Sequence, residues 1–242
     1  MPSQSAINRR TFFGLGAAFG VTALSPAGLF AAESKAEADI MPVEDLMQEH
    51  GLIDRGLLAY EEIARRLTTT EQAPTKILRE VAEFSAQFSE AYHQVLEERL
   101  VFPRMRKQNV KVDLVQILER QHEAGRMITS RIQRFAVQGS RSPSIADRRE
   151  AAMLIEQYVR MYRPHAAREA TVLFPAFRET YSPEEYRRLA QEYERMEEQL
   201  LGEKSFEDYE KQITRMEKDL GIHDLAQFTP RLSEMPKSDG KG

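Results

Sequence analysis

The 242-residue chain contains no cysteine and no tryptophan. Without thiols it can form no disulfide, no cysteine-ligated zinc or iron–sulfur site, no thioether-linked haem and no thiol nucleophile. Any metal would have to be held by His, Asp, Glu or Tyr. An excess of basic charge is also missing. The 34 Lys and Arg face 38 Asp and Glu, for a net charge of −4. The cations are spread along the chain, so nucleic acid is not an expected partner. No β-branched run alternates with a period of two, which argues against strands. Histidine is scarce, with five in the chain.

From Met41 onward, Leu, Ile, Met and Ala recur every three or four residues among Glu, Arg and Gln. This is the pattern of amphipathic helices. Breakers divide it. A first helix is expected from about Pro42 to Leu67, a second from Pro74 to Arg106, a third from Asp113 to Val137 and a fourth from Ile145 to Glu179. Four long helices with short connections predict an all-α, up-down-up-down four-helix bundle over residues 41–180. Ser182, Pro183 and two glutamates then form a helix start, and Ser205 starts another that Gly221 ends. Tyr186, Leu189, Tyr193, Met196 and Leu200 fall at helical steps, so the extension over 181–232 is expected to pack on the bundle. The polar tail, 233–242, is expected to be disordered.

The N-terminus has another character. Arg9-Arg10-Thr11-Phe12-Phe13 precedes an apolar, Gly- and Ala-rich stretch to about Leu24, followed by Pro26 and small residues to Ala32. A basic start, a short apolar run and a small-residue zone make residues 1–32 read as an export signal. The paired arginines are similar to a twin-arginine signal, which implies a periplasmic or otherwise exported protein and the twin-arginine machinery as a partner of the precursor. The alternative is an uncleaved membrane anchor, for which the apolar run is short against a span of about 20 residues. The twin-arginine route carries folded proteins, which would let a metal be inserted before export.

Four of the five histidines belong to an internal repeat. His50, His93, Glu97 and Phe102-Pro103 recur 72 residues later as His122, His165, Glu169 and Phe174-Pro175. His93 and Glu97 are four apart on one helix and share a face, as do His165 and Glu169. His50 and His122 add one imidazole each from the first and third helices. A bundle would aim four imidazoles and two carboxylates at one interior point, as carboxylate-bridged dimetal sites do. Such donors suit iron, manganese or zinc. Two half-sites suggest two metals with bridging glutamates and open positions, which favours iron, oxo-bridged. The competing explanation is helix packing alone, which does not account for a shared offset. His223 has no repeat mate and is expected at the surface. Glu49, Asp54, Glu98 and Glu123 are candidate partners for the remote imidazole nitrogens, although a solvated charged face is the commoner fate of such residues. Tyr92, Tyr158 and Tyr162 are expected in the core. Pro103 and Pro175 each remove a helix hydrogen bond, so Phe102-Pro103 and Phe174-Pro175 are expected to kink or end their helices and close one end of the bundle.

The segments around these residues resemble the hemerythrin-like proteins. Asp45-Leu46-Met47-Gln48-Glu49-His50-Gly51-Leu52-Ile53 is similar to the first-helix histidine motif of that family. His93-Gln94-Val95-Leu96-Glu97-Glu98 with Phe102-Pro103 resembles the second. Gln121-His122-Glu123-Ala124-Gly125-Arg126 resembles the third, and His165-Ala166-Ala167-Arg168-Glu169 with Phe174-Pro175 the fourth. The resemblance implies a non-haem di-iron centre held by His50, His93, Glu97, His122, His165 and Glu169. It also implies binding of a small ligand (O₂, NO or peroxide) for sensing, storage or scavenging. The alternatives are a di-iron oxidoreductase acting on peroxide or NO, an iron-centre repair protein, or a metal-holding bundle without turnover. Two departures stand out. Arg126 occupies the place of the fifth histidine of oxygen-carrying hemerythrins, so the set is more similar to bacterial hemerythrin-like proteins. The cysteine-bearing domain of the repair group is absent.

Overall fold

A computed structural model describes residues 41–69, 73–138 and 143–230. The export-signal reading of 1–32 and the disordered-tail reading of 233–242 fall outside these residues. No described helix is long and apolar enough to cross a membrane.

The described residues are almost wholly helical, with no strand among them. Helix α1 is Pro42–Thr69, α2 spans 75–107, α3 is Val112–Gln138 and α4 spans 145–179. Two further helices follow, α5 (Pro183–Leu201) and α6 (Phe206–Asp219), with a short 3₁₀ turn at Leu225–Phe228. The starts are written locally. Ser144, Ser182 and Ser205 each accept from the backbone N–H three residues on (Asp147, Glu185 and Asp208), and those acidic side chains return to the serine N–H. Such reciprocal caps satisfy donors that a helix start leaves free. Gly202 (φ 62°) and Gly221 (φ 67°) follow the ends of α5 and α6 in the left-handed region where a side chain is costly.

Helix α1 packs along α4, α2 along α3, α3 along α4, and α1 also meets α2. This is the expected four-helix bundle. Its core is built from the apolar stripe of each helix: Leu46, Ile53 and Ile63 from α1, Phe84 and Leu96 from α2, Leu118 and Ile132 from α3, and Ile155 and Phe174 from α4, all buried. At about 25 cal/mol per Å² of apolar surface, burial of this kind is the main source of stability.

Helices α5 and α6 pack on α1 and α2, the first hairpin. Tyr186, Leu189 and Tyr193 of α5 and Ile213 and Met216 of α6 are buried. The Val43 N–H donates to the Tyr186 hydroxyl at 3.1 Å. Arg55 makes a two-pronged bond to Glu217 (2.8 and 2.7 Å). The extension therefore breaks the symmetry that the repeat implies, because it packs chiefly on the first hairpin and meets the second at its edge, where Arg178 lies over the Tyr186 ring at 4.1 Å.

The Phe-Pro pairs settle one of two expected outcomes, a kink or an end. Neither ends its helix. The chain widens into π-helical turns over Glu97–Val101 and Glu169–Leu173, and α2 and α4 run on through the prolines to Lys107 and Glu179. The Phe102 N–H bonds the Glu97 carbonyl, and the Phe174 N–H the Glu169 carbonyl, each five residues back. Proline, the next residue, has no N–H to give. A one-residue slip in register ending just before it lets the helix continue, and π turns of this kind often occur at functional sites.

Candidate metal centre

Those two π turns begin at a repeated glutamate, a third π-helical stretch, Ser85–His93, ends at a repeated histidine, and the structure brings all six predicted residues together. His93, Glu97, His122 and Glu169 are fully buried, His165 is nearly so, and His50 retains 9% of its surface. They form two groups, His50–His93–Glu97–Glu169 and His122–His165–Glu97–Glu169, and within each group one donor atom per residue lies within 4.8 Å of the others. Both glutamates belong to both groups, and their oxygens divide. Glu97 Oε1 is 3.5 Å from His93 Nε2, and its Oε2 is 3.4 Å from His122 Nε2. Glu169 Oε1 is 3.1 Å from His165 Nε2, and its Oε2 is 3.3 Å from His50 Nε2. Each carboxylate thus spans from a histidine of its own hairpin to one of the other.

Both oxygens of Glu97 and Glu169 and the Nε2 atoms of His50 and His93 are buried with no well-formed hydrogen bond among the described residues. Buried polar atoms are normally partnered, and a cluster of exceptions needs a reason. A cation supplies one, because these atoms are Lewis bases converging on one volume. The electrostatics agree. Burial, then the Glu169 charge, pushes the Glu97 carboxyl well above the usual range. Burial also raises Glu169, but His165 and His50 outweigh it and hold that carboxyl below the range. Two facing carboxylates in a dry interior repel each other, and cations between them would relieve this. Burial lowers the His93 imidazole to about 3, and it lowers His50 against the pull of Glu169. Both imidazoles are therefore neutral at pH 7, the form that ligates metal.

The outer nitrogens are held unequally. His93 Nδ1 is 2.8 Å from Glu49 Oε2, His122 Nδ1 is 2.9 Å from Glu98 Oε1, and His165 Nδ1 is 2.9 Å from Gln121 Oε1. Such contacts fix ring orientation and tautomer. His50 Nδ1 has no such partner among the described residues. Glu49 and Glu98 thus turn inward rather than lying on a solvated face. Asp54 does not. It pairs with Arg163 at 3.0 Å, and Glu123 is exposed. Gln121 was missed by sequence reasoning, although it is the repeat mate of Glu49, 72 residues on. Glu49 is itself supported from outside the bundle. Its Oε1 faces the hydroxyls of Tyr92 and, at 3.3 Å, of Tyr193 on α5.

The widened turns also give the repeated phenylalanines a place at the site. The Phe102 ring stacks on His122 (5.4 Å between centroids, 29°), and Phe174 stacks on His50 (5.4 Å, 20°). Each phenylalanine covers a histidine of the opposite hairpin. Tyr92, Tyr158 and Tyr162 are core residues as expected, but Tyr162 also lies against His165, 5.3 Å between centroids. Arg126 points away from the cluster, to Gln94 (3.1 Å) and Glu98 (2.9 Å). His223 is about half exposed, against Glu217 at 3.3 Å, and belongs to neither group.

Comparison with known proteins agrees with this geometry. Residues 41–146 match the model of the hemerythrin HHE cation binding domain. The match takes in His50, His93, Glu97 and His122. His165 and Glu169 lie beyond it and join the cluster through the repeat. The chain is 39% identical over 194 residues, 80% of its own length and 76% of theirs, to uncharacterized proteins of Mycobacterium tuberculosis and Mycobacterium bovis. No solved structure matches it significantly. A four-helix bundle with a buried cluster of imidazoles and carboxylates fit for a cation, together with the match, shows that the chain carries a hemerythrin HHE cation binding domain at residues 41–146.

Proposed function

We propose that the cluster holds two non-haem irons, one in each group of ligands, with Glu97 and Glu169 bridging them. The observation that carries this reading is the division of each glutamate's two oxygens between the two groups. A single metal would leave two imidazoles idle, whereas two metals would use both oxygens of Glu97 and Glu169 and the Nε2 atoms of His50 and His93, all buried without a hydrogen bond among the described residues. When bound, the irons supply redox chemistry and open positions for a small ligand such as O₂, NO or peroxide. The rest is done by the chain. Glu49, Glu98 and Gln121 orient three imidazoles, and Phe102 and Phe174 shield His122 and His50 from water. The proposed role is sensing, storage or scavenging of that ligand. The Arg9-Arg10 segment supports a further part of the reading, that the protein folds with its metal and then leaves the cytoplasm by the twin-arginine route.

The test is metal content per chain, on protein purified without a metal-binding tag, with an optical spectrum before and after oxygen. Two irons with near-ultraviolet bands of an oxo-bridged pair are expected. A reversible spectral change supports ligand binding, and an irreversible one moves the reading to an oxidoreductase. A folded bundle that takes up no metal would overturn the proposal.

A further inference from the structure

The Glu49 carboxylate works in two directions. Oε2 faces His93 Nδ1 at 2.8 Å, and Oε1 accepts from the Tyr92 hydroxyl and, at 3.3 Å, from the Tyr193 hydroxyl. The Tyr92 hydroxyl also points at Glu197 Oε1, 2.9 Å away. A phenol carries one hydrogen, so Tyr92 divides it between Glu49 and Glu197. Tyr193 and Glu197 are four residues apart on α5 and share a face of that helix. That face brings two opposed groups to one network, a donor for Glu49 and a rival acceptor for the Tyr92 hydrogen. Glu49 and His93 are fully buried, and Tyr92 and Tyr193 nearly so, so bulk water does not level these differences. The second half of the repeat is built differently. The mates of Glu49 and Tyr92, 72 residues on, are Gln121 and Pro164, an amide and a residue without a hydroxyl, and α5 packs chiefly on the first hairpin.

We infer that α5 sets how strongly His93 donates to its metal: Tyr193 restrains the pull of Glu49 on the Nδ1 proton, and Glu197 strengthens it. This rests on the two-iron reading above. A carboxylate that accepts the outer N–H of a ligating imidazole raises the basicity of the ring, and a more basic ligand favours ferric over ferrous iron. Hydrogen bonds donated into Glu49 occupy its lone pairs and weaken that push. Without the Tyr193 hydroxyl the push grows and the reduction potential falls. With Glu197 made neutral, the Tyr92 hydrogen goes to Glu49, the push weakens and the potential rises. Tyr193 and Glu197 are thus positioning residues, acting on the centre through Glu49 from a helix outside the four-helix bundle.

The test is the reduction potential of the iron-loaded full chain, with iron content measured on the same samples. Tyr193→Phe keeps the ring and should shift the equilibrium toward ferric iron by about threefold or more, below the full 10–100-fold that partners of a ligating imidazole are worth. Glu197→Gln should shift it by a similar factor toward ferrous iron. Glu197 is only half-buried, so this variant keeps the inference open to refutation should Tyr193→Phe fold poorly. Glu198→Gln removes the same charge from an exposed neighbour on α5 and should leave the potential near that of the wild type. Opposite shifts in the first two variants, with two irons retained, support the inference. Unmoved potentials or shifts of one sign, with iron still bound, overturn it and leave the metal centre intact. A Glu198→Gln shift equal to that of Glu197→Gln also overturns it, since net charge alone would then account for the effect. A wild-type protein that takes up no iron sinks the two-iron reading, and this inference with it.

Discussion

Replacing Glu49 by Met should cost more than replacing it by Gln, and the difference measures what Glu49 does for His93. Glu49 is fully buried, with Oε2 at 2.8 Å from His93 Nδ1 and Oε1 facing the phenols of Tyr92 and Tyr193. Methionine has a similar bulk but offers no comparable acceptor. The His93 Nδ1–H would be left without an acceptor in a dry interior, at a cost of about 1–3 kcal/mol. For a chain of this size each kcal/mol lowers the melting midpoint by about 2–4 °C. The imidazole would also lose the group that keeps its proton on Nδ1 and leaves the Nε2 lone pair facing the cluster. Partners of this kind are worth about 10–100-fold in metal affinity, or roughly 1.4–2.7 kcal/mol. Glutamine retains one accepting oxygen. With that oxygen toward His93, its amide N–H groups face phenol oxygens that can accept, so the tautomer survives and affinity should fall by less than about tenfold, short of the full loss of an orienting partner. Chelator competition and thermal melts of the metal-free and loaded protein read both quantities. A Met variant with wild-type iron affinity would refute the orienting role. A Gln variant as weak as the Met variant would show that the charge matters rather than the acceptor.

His93→Ala and His165→Ala should each lower metal content and thermal stability together, because bound metal stabilises only the folded state. His223→Ala should leave metal content unchanged, and a loss there would show that the six-residue set is incomplete. Burial, against Thr129 and Arg126, raises the Glu90 carboxyl to about 7. The folded state then holds a proton that the unfolded state releases between about pH 4.5 and 7, so this residue's contribution to stability falls as pH rises through that window and levels off above it. Glu90→Gln should flatten that part of the stability–pH curve and stabilise the protein above pH 7, and a curve of unchanged slope would remove Glu90 as its source. Changing Arg9 and Arg10 to Lys should retain the precursor in the cytoplasm when fractions are blotted; continued export would point to another route.

Much of the fold could be read locally. Helix starts at Ser144, Ser182 and Ser205 and the stops after α5 and α6 follow from short-range hydrogen bonding and φ preference, which operate within a few residues and need no tertiary context. Glu49 and Glu98 were harder, since a glutamate on a helix says nothing about whether its side chain turns toward water or toward an imidazole on the next helix. Gln121 was harder still, because an amide carries no metal-ligand signal of its own. Phe102 and Phe174 misled for a different reason. Proline was expected to kink or end the helix; the helix instead runs on through a π turn, and each ring lies over an imidazole of the opposite hairpin.

The sequence alone marked out the helices and the six residues that cluster, because hydrophobic period, capping chemistry and the 72-residue offset are properties of the chain itself. Tertiary structure alone decided how those donors divide, one oxygen of each glutamate to each half, since that depends on where two hairpins meet. It also decided that the halves are not equivalent. Ala166 and Ala170 line a cavity beside His50, whereas Glu98 meets His122 and Arg126 ties Glu98 to Gln94. A cavity is a property of what several helices together fail to fill, and no single segment records it.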